Sequence, residues 1–187
     1  KKDNPIKNKD IKNKLNKEII NTTSYIHEAK AILRANKINL GNSFDLEISH
    51  HYGINKFRKY GCFLFNCINR QYAKKIVLLF GNQKHPVHKH RLKEETFQIL
   101  SGVLYITLNG KNRKCYPGDT LLVKPGVWHK FRALSEPCIF EEVSTTSYSK
   151  DSIYKDEQIN KLNREDRKTR LNNFNTSELD LKFNAQS

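Results

Sequence analysis

Residues 87–102 read VHKHRLKEETFQILSG, and residues 117–131 read PGDTLLVKPGVWHKF. Along a strand, residues i and i+2 point to the same face, so His88 and His90 can grip one ion together. Glu95 follows within reach across a turn. His129 lies in a second apolar, strand-like run that can lie beside the first. Three imidazoles and one carboxylate make a mixed nitrogen and oxygen donor set. Such a set suits one divalent ion: manganese, zinc, iron, cobalt or nickel. An ion held in this way normally keeps positions open for water or substrate. The competing reading, two exposed histidines in a lysine-rich loop, leaves the spacing of the other residues without a cause.

That spacing is more specific than the residue types. The first stretch fits H-x-H-x4-E-x6-G and ends at Gly102; the second fits G-x7-G-x2-H, from Gly118 through Gly126 to His129. Together they resemble the paired motifs of the cupin superfamily, the small metal-binding β-barrels. Two departures are visible. The family pattern usually opens with glycine at the place held here by Asn82, with Gly81 one position early, and it expects proline where Lys124 stands before Pro125. Neither departure touches a candidate ligand.

The chain has 187 residues, 37% of them hydrophobic, with a formal net charge of +15. That length suits one domain with a real core, and the apolar shortfall falls at the ends. Residues 1–21 read as a basic flexible linker, 22–168 as the folded domain, and 169–187 as a polar tail. The charge invites a nucleic-acid reading. Lysine and asparagine dominate throughout, as AT-rich codon usage would produce, and no arginine-rich run interleaved with aromatics occurs. No nucleic-acid partner is expected. Without a long apolar run or a secretory leader, the expectation is a cytoplasmic protein with no membrane partner. Cys62, Cys67, Cys115 and Cys138 lack zinc-type spacing, so free thiols are expected. Methionine is absent, which suggests a processed chain or a piece of a longer one.

Residues 22–37 carry a helical period, with Ile26, Ala29, Ile32 and Leu33 on one face and Thr22 or Thr23 as the N-cap. From Tyr60 the pattern turns to β. Strands are expected at 60–69, 74–81, 95–101, 103–109, 120–124, 128–133 and 137–144, separated by turn signals such as Asn109-Gly110 and Pro117-Gly118-Asp119. Residues 154–168 read as a polar helix. Regularly spaced short strands favour a sandwich or barrel. With the resemblance above, the expected class is all-β: a cupin jelly-roll (double-stranded β-helix) barrel with flanking N- and C-terminal helices. The adjacent His50 and His51 make a poor metal pair, because neighbouring strand residues face opposite ways, but one of them could line the mouth of a pocket.

Three local resemblances narrow the function. YAKKIVLLFGNQKHPVHKHRLKEE, ending at Glu95, looks like the metal strand of D-lyxose isomerases, which carry a lysine where Lys93 stands. Glu142-Val143-Ser144 resembles the EVS segment of that family. HHYGI, FRKYG and EEVSTT around the motif resemble a cupin domain attached to the C-terminus of sialic acid (N-acetylneuraminate) synthase-like proteins. These resemblances imply a sugar or sugar acid as ligand and a fused or associated synthase-like domain, and a homodimer is the expectation for a cupin. Glu142 is the candidate catalytic base, since its strand could lie beside the metal strands, and Lys93 the group that stabilises negative charge on a sugar oxygen. Lys75 and Arg132 are candidate substrate-binding residues. The first reading is a metal-dependent aldose–ketose isomerase or epimerase. The second is a non-catalytic metal-containing sugar-binding module. An iron-dependent oxygenase would use the same ligand types.

Overall fold

The computed structural model describes the backbone of residues 5–41 and 44–174, and side chains from residue 16 to residue 172 within those ranges. Helix α1 (Pro5–Ala35) comes first, followed by strands β1 (Phe44–Ser49), β2 (Cys62–Asn69) and β3 (Tyr72–Leu79). The motif region supplies β4 (His88–His90), β5 (Glu95–Ser101), β6 (Leu104–Leu108), β7 (Lys111–Cys115), β8 (Thr120–Val123) and β9 (His129–Ala133). The chain then runs through β10 (Cys138–Thr145), β11 (Ser152–Tyr154), the short helices α2 (Glu157–Lys161) and α3 (Arg164–Arg167), and β12 (Lys168–Phe174).

The strands form two antiparallel sheets, ordered β12-β1-β2-β3-β10-β5-β8 and β11-β4-β9-β6-β7. Their inner faces pack together through Val77, Leu79, Phe97 and Phe140 from the larger sheet and Leu104, Ile106 and Phe131 from the smaller. This is the cupin jelly roll. A second core lies on the outer face of the larger sheet, where Ile26, Ala29 and Leu33 of α1 cover Leu46, Ile48, Phe63, Ile76 and Leu78. Two covered faces explain the unbroken run IVLLF at 76–80: Val77 and Leu79 point into the barrel, Ile76, Leu78 and Phe80 toward the helix. Burying each such side chain stabilises the fold by roughly 2 kcal/mol. Among the described residues, no helix is long and apolar enough to cross a membrane.

Three expectations are corrected here. The first helix opens at Pro5, not at Thr22 or Thr23. Proline suits a first helical position because its missing N–H has no helical partner there anyway, and no glycine or second proline interrupts the residues that follow. Thr22 and Thr23 instead return their hydroxyls to the carbonyls of Glu18 and Ile19, at 2.8 and 3.0 Å. Residues 154–168 are not one helix; they divide into the end of β11, α2 and α3. Residues 169–174, read as tail, belong to β12 and pair with β1, with Leu46 opposite Leu171 and Glu47 opposite Arg170. Lys168 and Arg170 face a polar interior, so this strand lacks the apolar alternation that marks the others. The remaining tail, 175–187, and residues 1–4 lie outside the described residues.

Gly102 joins β5 to β6 with φ +75°, and a Cβ there would stand 2.1 Å from the carbonyl oxygen of Pro137. Gly110, at φ +84°, has nothing within 4 Å of the same position. Gly102→Ala is expected to cost at least about 2 kcal/mol in chemical denaturation, and Gly110→Ala only about 1 to 2 kcal/mol from backbone strain. Equal costs would show that the contact with Pro137 relaxes freely.

Candidate functional site

His88 and His90 sit two apart on β4, and His88 pairs directly with His129 on β9. All three point into the barrel and are buried. Their ring centroids are 5.1 Å apart for His88 and His90, 4.0 Å for His88 and His129, and 5.8 Å for His90 and His129. One nitrogen from each lies within 4.8 Å of the others, an arrangement that fits a metal site. The Nδ1 atoms are engaged elsewhere. Those of His88 and His129 lie 3.1 and 3.0 Å from the carbonyl oxygens of Pro86 and Val127. That of His90 lies 3.3 Å from Ser152 Oγ and 3.5 Å from Asp151 Oδ2. Such outer contacts orient a ligating imidazole so that its other nitrogen faces the ion.

Glu95 opens β5, in the opposite sheet, so the cluster bridges the two layers. Its Oε1 is 3.4 Å from His90 Nε2 and its Oε2 is 3.4 Å from His129 Nε2. Glu95 Oε2 and His129 Nε2 are both buried without a hydrogen bond. Leaving two facing polar atoms unsatisfied costs about 1–3 kcal/mol each. A shared cation would satisfy both. The protonation states agree. Burial, reinforced by the neighbouring imidazoles, holds His88 well below the ordinary histidine range, and burial also lowers His90. Burial alone would raise Glu95, but Lys93 and the imidazoles hold it well below the usual carboxylate range. Neutral imidazole and ionised carboxylate are the forms that bind metal.

Lys93 Nζ lies 2.5 Å from Glu95 Oε1 and 2.8 Å from Glu142 Oε1. Lys75 Nζ is 3.1 Å from the same Glu142 oxygen, as expected from the cross-strand pairing of Glu142 with Lys75. Burial favours loss of the Lys93 proton, but Glu142 and Glu95 outweigh it and keep the ammonium charged. Glu142 is pushed up by burial and down further by Lys75 and Lys93, ending below its usual value. The result is a buried row of alternating charges, Glu95, Lys93, Glu142 and Lys75, running away from the histidines along a cavity of about 350 Å³.

Arg132 does not join this row. It alternates with His129 and Phe131 on β9 and so leaves the barrel on the other face, where its guanidinium stacks over Tyr105 at 4.7 Å. There it lines a separate open groove of about 600 Å³ with Tyr52, Lys84 and Lys130.

Other residues at the site lack the spacing that marks the candidate ligands. Asp151 accepts hydrogen bonds from the backbone N–H groups of Arg91, Leu92 and Lys93 at 3.0, 2.9 and 3.0 Å, which fixes the turn that carries Lys93 from one sheet to the other. Behind His88 stand His85 and His51, with ring centroids 4.4 Å apart for His85 and His88 and 4.5 Å for His51 and His85. Burial pushes His85 down to about 3. His51 Nε2 lies 3.1 Å from the hydroxyl of Tyr154 and 3.2 Å from Ser49 Oγ, so this ring supports the wall of the site. His50 points the other way, 3.0 Å from Thr169 Oγ1.

Residues 76–144 match the family model described as the cupin domain. That match spans 69 of the 187 residues, and the fold around it is the cupin jelly roll. The chain's fold is also that of L-ribose isomerase from Geodermatophilus obscurus, with TM-score 0.62 and 14% identity over 75% of this chain and 93% of that one. L-ribose isomerase from Cellulomonas parahominis gives 0.59 and 13%, over 73% and 92%. A variant L-ribose isomerase from Acinetobacter sp. DL28, in complex with L-ribose, gives 0.56 and 13%, over 68% and 80%. At these identities the likeness concerns the cupin fold.

At the mouth of the cavity, Glu47 is buried against Lys168, Arg164 and Arg170. Burial pushes this carboxyl up, but the three cations outweigh it and hold the pKa at about 2, against 4.5 for the ordinary group. A depressed carboxyl contributes stability that is full above its unfolded pKa and is lost as pH falls toward its folded pKa. The stability advantage of the wild type over Glu47→Gln should therefore shrink by on the order of 2 kcal/mol between pH 6 and pH 3. An advantage independent of pH in denaturant titrations would show that Glu47 is not held ionised.

Proposed function

We propose that this chain is a divalent-metal-dependent cupin acting on a sugar, as an aldose–ketose isomerase or epimerase. The observation that carries this reading is the direct continuation of the histidine cluster into the row Glu95, Lys93, Glu142 and Lys75 along one cavity. The resemblance to D-lyxose isomerases and the shared fold with L-ribose isomerases support the same substrate class.

His88, His90, Glu95 and His129 would hold the ion, which supplies Lewis acidity toward neighbouring sugar oxygens. Interconversion of an aldose and a ketose moves one hydrogen between adjacent carbons and another between their oxygens. Glu142 takes the proton from one carbon and returns it to the next. Lys93, held charged beside Glu142, stabilises the negative charge that develops on oxygen. Lys75 fixes the orientation of the Glu142 carboxylate.

One observation favours a second reading. Glu142 is clamped by two ammonium groups and its pKa is lowered, which makes it a weaker base. A non-catalytic sugar-binding module, serving a fused or associated sialic acid synthase-like domain, needs the cavity and the ion but no base. An aldose–ketose screen with supplied manganese, zinc, iron, cobalt or nickel separates the two. Under the isomerase reading, Glu142→Gln lowers kcat by roughly 100- to 10,000-fold while metal content stays unchanged. Undiminished turnover would remove Glu142 as base, and no turnover of any aldose or ketose would favour the binding module.

A further inference from the structure

The cavity that begins at the histidines ends among charges on β1, β12 and α3. Glu47, Lys168 and Arg170 face inward there, because Glu47 and Arg170 are direct cross-strand partners and Lys168 is two residues from Arg170. Arg164 of α3 completes the group. Lys168 is the close partner of Glu47. The arginines are engaged more weakly. Arg170 uses only Nε, at 3.2 Å from Glu47 Oε2, and Arg164 makes a single contact with that oxygen at 3.5 Å, the outer limit for a hydrogen bond. Most of both guanidinium forks is left for another acceptor.

The charges do not balance. Three cations, Arg164, Lys168 and Arg170, face two carboxylates, Glu47 and the exposed Asp45, around this end, while Lys75 further in is paired with Glu142. Two arginines with free forks beside a partly buried lysine suit a carboxylate or phosphate, which each fork can hold through two parallel N–H bonds. We propose that this end of the cavity is an anion-recognition pole and that the ligand is a sugar bearing a carboxylate or a phosphate. Its hydroxyls lie toward the histidines and its anion lies between Arg164, Lys168 and Arg170. This rests on the reading of the cavity as a sugar site.

Metal-free protein titrated with inorganic phosphate tests the pole by itself. Wild type should bind phosphate saturably, and Arg164→Gln/Arg170→Gln should bind at least about tenfold more weakly. That pair leaves Lys168 to neutralise Glu47. If it does not fold, Arg170→Gln alone, at a half-exposed position, carries the same comparison. Manganese-loaded protein is then titrated with D-glucose, D-glucuronate and glucose 6-phosphate. At least one anionic sugar should bind about tenfold or more tighter than D-glucose, with the preference lost in the arginine variant. Tighter glucuronate identifies a sugar acid, and tighter glucose 6-phosphate a phosphosugar. Equal phosphate affinity in wild type and variant, or D-glucose matching both anionic sugars, would overturn the proposal. Arginine-dependent phosphate binding without any sugar binding would keep the pole and remove the sugar reading instead.

Discussion

A single buried ammonium, Lys93, lies between two buried carboxylates, Glu95 and Glu142. Two carboxylates this close inside a protein cannot both ionise without a cation between them, and removing one partner from a buried pair leaves an uncompensated charge at a cost of about 3–5 kcal/mol. Lys93 thus helps to hold Glu95 ionised, and with Lys75 it does the same for Glu142. Glu95 is thereby an ionised donor beside His88 and His90, which burial keeps neutral, and Glu142 is an ionised group one ammonium further along. The lysine is itself positioned from behind, because Asp151 takes three consecutive backbone N–H groups of its turn. The chemistry of the cavity therefore depends on a turn between two sheets as much as on the strands that flank it.

The barrel explains why these charges can be buried at all. Its apolar half, built on Phe97, Phe131, Phe140 and Leu104, fills the space between the sheets, while the other half is left polar and open to ligand. Helix α1 covers the back of the larger sheet, so the strands that carry Lys75 and Glu142 are packed on their far side. The net charge of +15 is spread widely, but the cavity mouth concentrates part of it in Arg164, Lys168 and Arg170.

Periodicity and spacing made much of this legible. Several strands between 62 and 145 carry period-2 apolar repeats, 76–80 an unbroken apolar run, and Ile26, Ala29 and Leu33 a helical face, each enforced by burial. His88, His90, Glu95 and His129 stood out by their spacing, and the structure brings all four together on facing strands. Other parts left no such mark. Strand β12 presents lysine and arginine to a polar cavity, so it reads as tail. Arg132 and His129 lie three residues apart on one strand, and a basic residue near a ligand looks relevant until alternation sends it outward. Asp151 acts through backbone partners roughly 60 residues away in sequence, where no local pattern can report it.

The central claim is that the buried histidines and Glu95 hold one divalent ion. Metal analysis of purified protein after exposure to manganese or zinc, followed by dialysis, tests it most directly. Wild type should retain one ion per chain, and His90→Ala, correctly folded by circular dichroism, should retain almost none. An unchanged metal content in His90→Ala, or a wild-type protein that binds no divalent ion, would contradict the account.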